Sequence, residues 1–152
     1  MMELGLKFTL AYLIGAVLGG LLVGFFYGGV DIRKVGSGNA GGTNALRTQG
    51  KLFALLVMIV DVGKGIVAVA VIPPLAIPGV GFDPDVDRSL VLYATAFAAI
   101  AGHVFPVWFG FRGGKGGATA AGLLCYLAPA AALPVIAMWL LIVLTTGFVG
   151  LA

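Results

Sequence analysis

The sequence predicts an all-α protein: a polytopic transmembrane helical bundle of about five membrane segments joined by glycine-rich loops. Three observations lead there. Hydrophobic residues make up 61% of the 152-residue chain and charged residues only 10%, with a mean hydropathy of +1.12; a soluble domain carries about 25% charged residues. Residues 8–30, 65–82, 89–111 and 116–152 contain no Asp, Glu, Lys or Arg, and a spanning helix needs about 20 apolar residues. The segments between these runs are polar, basic and rich in glycine, which membrane spanning alone does not require.

The first segment is read at 8–28. Its apolar core is too long for a signal peptide and no cleavage site follows, so it is read as a retained span. Gly15 and Gly19 lie four residues apart, as do Gly20, Gly24 and Gly28. Small residues so spaced let helices approach closely, within one bundle or between two copies. The second segment, 52–72, carries Asp61 and Lys64 three residues apart on one helix face. Charges at such depth are costly and usually functional; a structural ion pair and a phosphate ligand at Lys64 both fit. The third, 90–109, holds His103, the one histidine, near Pro106, which ends or kinks the helix. The last apolar run is divided at Pro129 and Pro134 into segments 118–131 and 133–149, the former short enough for a half-helix. Cys125, the single cysteine, is read as a packed membrane residue, with no disulfide framework. No repeat or linker interrupts residues 1–152, so one domain is expected.

Charge distribution sets the orientation. Arg33, Lys34, Arg47 and Lys51 lie in the loop near 31–51, and Arg112 and Lys115 in the loop near 110–117. Asp83, Asp85 and Asp87 lie in the loop near 73–89. Basic loops stay cytoplasmic. Both glycine-rich loops therefore share the cytoplasmic face, with the N-terminus outside and the C-terminus inside. A net charge of +3 on so apolar a chain argues against a nucleic-acid partner.

The run Gly36-Ser37-Gly38-Asn39-Ala40-Gly41-Gly42-Thr43-Asn44-Ala45-Leu46-Arg47 suits an anion. Backbone N–H groups in glycine turns converge on phosphate oxygens, and an arginine fork clamps them. Gly36, Gly38 and Gly41 fit G-x-G-x-x-G, but the flanking membrane segments exclude the strand–helix unit a dinucleotide site needs. The segment Arg112-Gly113-Gly114-Lys115-Gly116-Gly117 repeats the chemistry. It is no nucleotide P-loop, because Phe109 stands where the first glycine belongs and Gly116 replaces the Ser/Thr that meets Mg²⁺. One His and one distant Cys support no zinc site.

These residues resemble a known family. GSGNAGGTNALR, DVGKG and GHVFPVWFGFRGGKGGAT are similar, in order and spacing, to the three motifs of the bacterial acyl-phosphate:glycerol-3-phosphate acyltransferases. The resemblance implies a cell-membrane enzyme that moves a fatty acyl group from acyl phosphate to the 1-hydroxyl of glycerol 3-phosphate, giving lysophosphatidic acid among membrane lipids. No metal or other cofactor is implied. Arg47, Lys115 and Lys64 are then expected to hold phosphates, helped by Arg112 and the backbone of Gly36, Gly38, Gly41, Gly113, Gly114 and Gly116. Ser37, Asn39, Thr43 and Asn44 would orient phosphates or glycerol hydroxyls. His103 is the candidate base for the attacking hydroxyl; a substrate phosphate oxygen serving that role and Ser37 as a covalent nucleophile are the alternatives. Family members continue past the fifth segment with a serine-containing turn and two further helices, so a C-terminally shortened form is expected. The oligomeric state is left open. The rival class is a transporter or channel subunit for a phosphorylated solute, to which broken helices and an intramembrane Asp/Lys pair are also suited.

Overall fold

In a computed structural model, residues 1–146 are described. Among them the chain is helical, with no β-strand: α1 (Met2–Gly15), α2 (Gly19–Phe26), α3 (Gly42–Gln49), α4 (Lys51–Ala70), α5 (Arg88–Val104), α6 (Gly117–Leu127) and α7 (Pro129–Thr146). Two 3₁₀ turns, Ile32–Lys34 and Val107–Phe109, sit in the polar loops.

The first expected segment is not one helix. α1 starts at Met2 and stops at Gly15, and α2 leaves at a 49° bend. Buried Leu18 takes an extended conformation between them. A break frees backbone groups that must find partners in an apolar surrounding. Two polar side chains of α4 supply them: Gly19 N–H donates to Asp61 Oδ1 at 3.0 Å and Lys64 Nζ donates to the Val17 carbonyl at 2.6 Å. The two charges placed mid-helix are thus accounted for by the broken helix beside them.

The five expected segments resolve differently from the sequence reading. Among the described residues two helices are long and apolar enough to span, one running Lys51–Ala70 and the other Arg88–Phe109, and the bent pair α1/α2 qualifies as a third. α6 has 11 residues, about 16 Å of helix against a hydrocarbon core of about 30 Å. The division of the last apolar run falls at Ala128 alone. Pro129 opens α7, where its missing N–H costs nothing, and Pro134 lies inside that helix. The expected end of the fifth segment, at 149, lies outside the described residues. The loop expected over 31–51 also contains a helix, α3. Cys125 is exposed on α6 rather than packed inside the bundle.

Small residues set the packing. α1 lies along α5, where a Cβ on Gly15 would strike the Ala99 backbone and one on Gly102 the Tyr12 carbonyl. α4 lies along α6, with Gly65 against the Thr119 backbone and Gly122 against the Val62 carbonyl. Gly15, Gly19, Gly20 and Gly24 all face neighbours within this chain, whereas Gly28 faces open space. The glycine spacing in α1 and α2 is therefore used inside one bundle.

α4 and α5 are antiparallel, so their connection lies at one end and both glycine-rich loops at the other. The connection is tied down by charges the sequence reading did not connect. α1 extends far enough to bring Glu3 and Lys7 onto one face, both buried and 2.7 Å apart. Arg88 forks onto Glu3 at 2.6 and 3.0 Å, and Asp83 N–H donates to the same carboxylate at 2.8 Å. The N-terminal ammonium pairs with Asp83, whose carboxyl it holds below the usual range. These groups satisfy one another.

Candidate active site

The first glycine-rich loop is organised by Asn44, 2% exposed. Its amide nitrogen donates to the carbonyls of Ile32, Val35 and Asn39 at 2.8, 3.0 and 3.0 Å. Its Oδ1 accepts from Ser37 N–H at 2.9 Å. One side chain thus holds four points of the loop and curls it over the start of α3. Gly36 closes against it in the left-handed region at φ +59°, and a Cβ there would collide with Asn44 Oδ1; only glycine suits both demands. Asn39 Oδ1 accepts from Gly41 N–H at 2.9 Å, a local turn leading into α3. Asn44 and Asn39 therefore act on the loop's own backbone. The Ser37 hydroxyl and the Arg47 guanidinium are exposed and have no hydrogen-bond partner among the described residues. Thr43 lies in the first turn of α3.

The second loop follows α5. Phe111 takes φ +60°, an uncommon state for a bulky residue that marks a constrained, often functional, turn. Gly113 and Gly114 N–H groups donate back to the carbonyls of Val104 and His103 at 3.2 and 3.1 Å. Gly116, at φ +81°, caps α6. Arg112 and Lys115 point out as exposed cations, and their charged groups have no partner among the described residues.

Arg33 joins the two loops. Its guanidinium donates to Asp31 at 3.1 and 3.0 Å, and to the Phe109 and Arg112 carbonyls at 3.3 and 3.1 Å. It also lies 5.6 Å from the Phe109 ring centre. The Arg33 hydrogen bond holds the Asp31 carboxyl below its usual range. Beside this bridge opens a cleft of about 680 Å³, lined by Asp31, Arg33, Lys34, Gly38, Phe109, Gly110, Arg112 and Gly113. The sequence reading counted Arg33 only as an orienting charge. Nothing in the sequence distinguished it from Lys34, because its partners are carbonyls more than seventy residues away.

Lys64 and His103 are not among the residues lining this cleft. Lys64 is 6% and His103 2% exposed. Lys64 Nζ is 2.9 Å from Asp61 Oδ1, 2.6 Å from the Val17 carbonyl and 2.8 Å from His103 Nδ1. An ammonium has three donors, so all of them are committed inside the bundle. Lys64 thus presents no free donor to the cleft. Asp61 Oδ2 has no hydrogen-bond partner among the described residues. Among the described residues no group of His, Cys, Asp and Glu is placed to hold a metal ion.

The structure thus gathers Gly38, Arg112 and Gly113 at one cleft, with Gly114 adjoining it. It places Ser37 on the first loop, Arg47 on α3, and Lys115 and Gly116 on the approach to α6. The cleft is open and lined by glycines and the cations Arg33, Lys34 and Arg112, at one end of an apolar helical bundle. Residues 6–152 match the family described as glycerol-3-phosphate acyltransferase, and the chain belongs to it. It is 43% identical over 145 residues to a glycerol-3-phosphate acyltransferase of Chlorobium phaeobacteroides, covering 95% of this chain and 62% of that protein. A namesake from Chlorobaculum tepidum is 43% identical over 150 residues, covering 93% and 62%. Among solved structures, the glycerol 3-phosphate form of PlsY (YgiH), an integral membrane glycerol 3-phosphate acyltransferase, superposes with a TM-score of 0.78 at 35% identity, covering 97% of this chain and 69% of that one. Its lysophosphatidic acid form gives 0.72, also at 35% identity, covering 93% and 65%. The chain spans about 62% of the length of the curated relatives it matches.

Proposed function

We propose that this chain carries the phosphate-handling core of an acyltransferase that moves a fatty acyl group from acyl phosphate to the 1-hydroxyl of glycerol 3-phosphate. The product is lysophosphatidic acid, made at the cytoplasmic face of the cell membrane. The observation that carries this reading is the joining of two glycine-rich basic loops by Arg33 around one cleft. Both substrates are phosphates, and one cleft with cations from two loops suits two of them. The relatives named for this activity, and the two ligand forms of the solved neighbour, support it.

The chemistry asks for positioning and charge stabilisation. The glycerol hydroxyl attacks the acyl carbon, the acyl–oxygen bond to phosphate breaks, and the hydroxyl proton passes to a phosphate oxygen. Phosphate is already a good leaving group, so no strong base is required. Direct transfer of the proton to phosphate does not call on His103, whose Nδ1 is 2.8 Å from Lys64 Nζ. Ser37 has no His or carboxylate partner to activate its hydroxyl, which favours direct transfer over an acyl-enzyme. Arg47, Arg112 and Lys115 provide the uncommitted positive charge, and the acyl chain lies among the apolar helices. The transporter reading is disfavoured because the far end is closed by the Glu3–Arg88 network. The test is turnover by the native gene product, purified and supplied with acyl phosphate and labelled glycerol 3-phosphate. Lysophosphatidate that requires both substrates and falls at least about tenfold in Arg47→Lys and Lys115→Ala supports the reading. Product formed equally well from acyl-CoA, or indifferent to both substitutions, overturns it.

A further inference from the structure

The second glycine-rich loop rests on a side chain. Gly113 and Gly114 N–H groups donate to the Val104 and His103 carbonyls, folding the loop back onto the end of α5. There the Gly114 backbone lies against the edge of the His103 imidazole. A Cβ on Gly114 would collide with Nε2 and would stand 3.1 Å from both Cδ2 and Cε1. Gly114 is not among the glycines with positive φ, so what demands glycine at this position is the ring and not the backbone angle. The ring, 2% exposed, is held at its other nitrogen. Nδ1 lies 2.8 Å from Lys64 Nζ, 3.3 Å from the Thr119 hydroxyl and 3.6 Å from Asp61 Oδ1. Lys64 and Asp61 also hold the α1/α2 break, through the Val17 carbonyl and the Gly19 N–H. α2 in turn carries the first loop: a Cβ on Gly20 would strike the Ala40 carbonyl, and one on Gly24 the Val30 carbonyl. One buried cluster therefore touches the helix on which the first loop packs and the ring against which the second loop lies.

We propose that His103 is a positioning residue: its ring is the seat of the Gly113–Gly114 turn and so sets where the neighbouring Arg112 and Lys115 stand. The proposal rests on the reading above only for the ligand those cations meet, a phosphate monoester. No proton transfer is asked of His103, and the seat works with the hydrogen on either ring nitrogen. The seat also gives the buried charges a second task beyond satisfying the α1/α2 break. Arg33 joins the two loops directly; the Asp61–Lys64–His103 cluster joins them through α2 and α5. A ring fixed by directional polar contacts cannot slide under the turn as a loosely packed apolar side chain could.

The test combines His103→Ala with Gly114→Ala in the native gene product, purified in a maltoside detergent. It reads trypsin cleavage after Arg112 and Lys115, which follows the open population of the loop. Gly114→Ala should quicken cleavage at least about tenfold, because its methyl has no room beside the ring. His103→Ala should quicken it by a similar factor, about tenfold, by removing the seat. Adding Gly114→Ala to His103→Ala should then change the rate by no more than about twofold, since the two substitutions act on one contact. A Gly114→Ala effect of equal size in both backgrounds overturns the proposal. So does equal quickening after Arg88 at the opposite end, which marks general unfolding. His103→Ser, which keeps a polar group for Lys64, carries the same cycle where His103→Ala does not fold. His103→Gln, whose amide reaches nearly as far as the ring edge, should keep cleavage within about threefold of the unsubstituted protein; a loss as large as that of His103→Ala overturns the seat. Retention of labelled glycerol 3-phosphate should fall at least about tenfold in each single variant and little further in the double. A loosened loop with undiminished retention overturns the positioning role. Absent retention in the unsubstituted protein, with the cleavage coupling intact, defeats the phosphate reading alone. Retention and acyl transfer without the coupling defeat the seat alone.

Discussion

Removing the Arg33 guanidinium should undock the two glycine-rich loops while leaving the helical bundle standing. In Arg33→Gln the bonds to the Phe109 and Arg112 carbonyls, at 3.3 and 3.1 Å, are lost. A hydrogen bond to a charged group contributes about 1.5–3 kcal/mol. The Arg33 side chain is 24% exposed and both bonds are on the long side, so about 1 kcal/mol each is the better figure. The docked state should lose about 2 kcal/mol, roughly a thirty-fold rise in the undocked population. Trypsin reads this directly, since cleavage follows the open population when opening is fast. Arg112 and Lys115 are exposed cleavage sites on the loop in question. Cleavage after them should quicken about thirty-fold, while cleavage after Arg88 at the opposite end stays unchanged. Arg33→Lys should fall between, because a single ammonium cannot span two carbonyls and the Asp31 carboxylate together. Unchanged cleavage in Arg33→Gln would refute the bridge as the element that joins the loops.

Four further outcomes are expected. Arg47→Lys and Lys115→Ala, at exposed cations without ion-pair partners, should change stability by no more than about 0.5 kcal/mol while reducing glycerol 3-phosphate turnover at least about tenfold, measured by thermal unfolding beside the acyl-transfer assay. Asn44→Ala should cost about 2–4 kcal/mol by stranding Ser37 N–H and three buried or half-buried carbonyls, and Asn44→Asp should be no better because it sets a carboxylate against those carbonyls; chemical denaturation distinguishes the two. The Asp31 contribution to loop docking, set by a carboxyl held below its usual range, should be fully present above the ordinary value of about 3.9 and fade as pH falls through the lowered one, seen as faster cleavage after Arg112 with an acid-tolerant protease engineered for arginine. Cysteines placed singly at Lys34 and Asp85, in a Cys125→Ser background, should label from opposite sides of the membrane, and same-side labelling would break the orientation.

The sequence alone determined the class, the family and the sidedness of the loops relative to one another. Hydropathy and charge-free runs are sums over neighbouring residues, and so are the glycine-rich anion motifs and the acidic or basic character of each loop. All are legible without knowing what touches what. The packing use of Gly15 and Gly19 was likewise visible as a spacing. What the tertiary structure decided concerns partners far apart in the chain. The bend at Leu18 carries no proline signal, and it holds because Asp61 and Lys64, more than forty residues on, satisfy the freed backbone groups. Lys64 and His103 were singled out by type, but their direction was not readable: whether an ammonium faces a cleft or the inside of the bundle depends on which acceptors the fold brings within 3 Å. Arg33 was passed over because its value lies in two carbonyls of another loop, and a carbonyl leaves no mark on sequence. Side-chain identity and local period are written residue by residue; the commitment of a donor to an acceptor is a property of the folded arrangement.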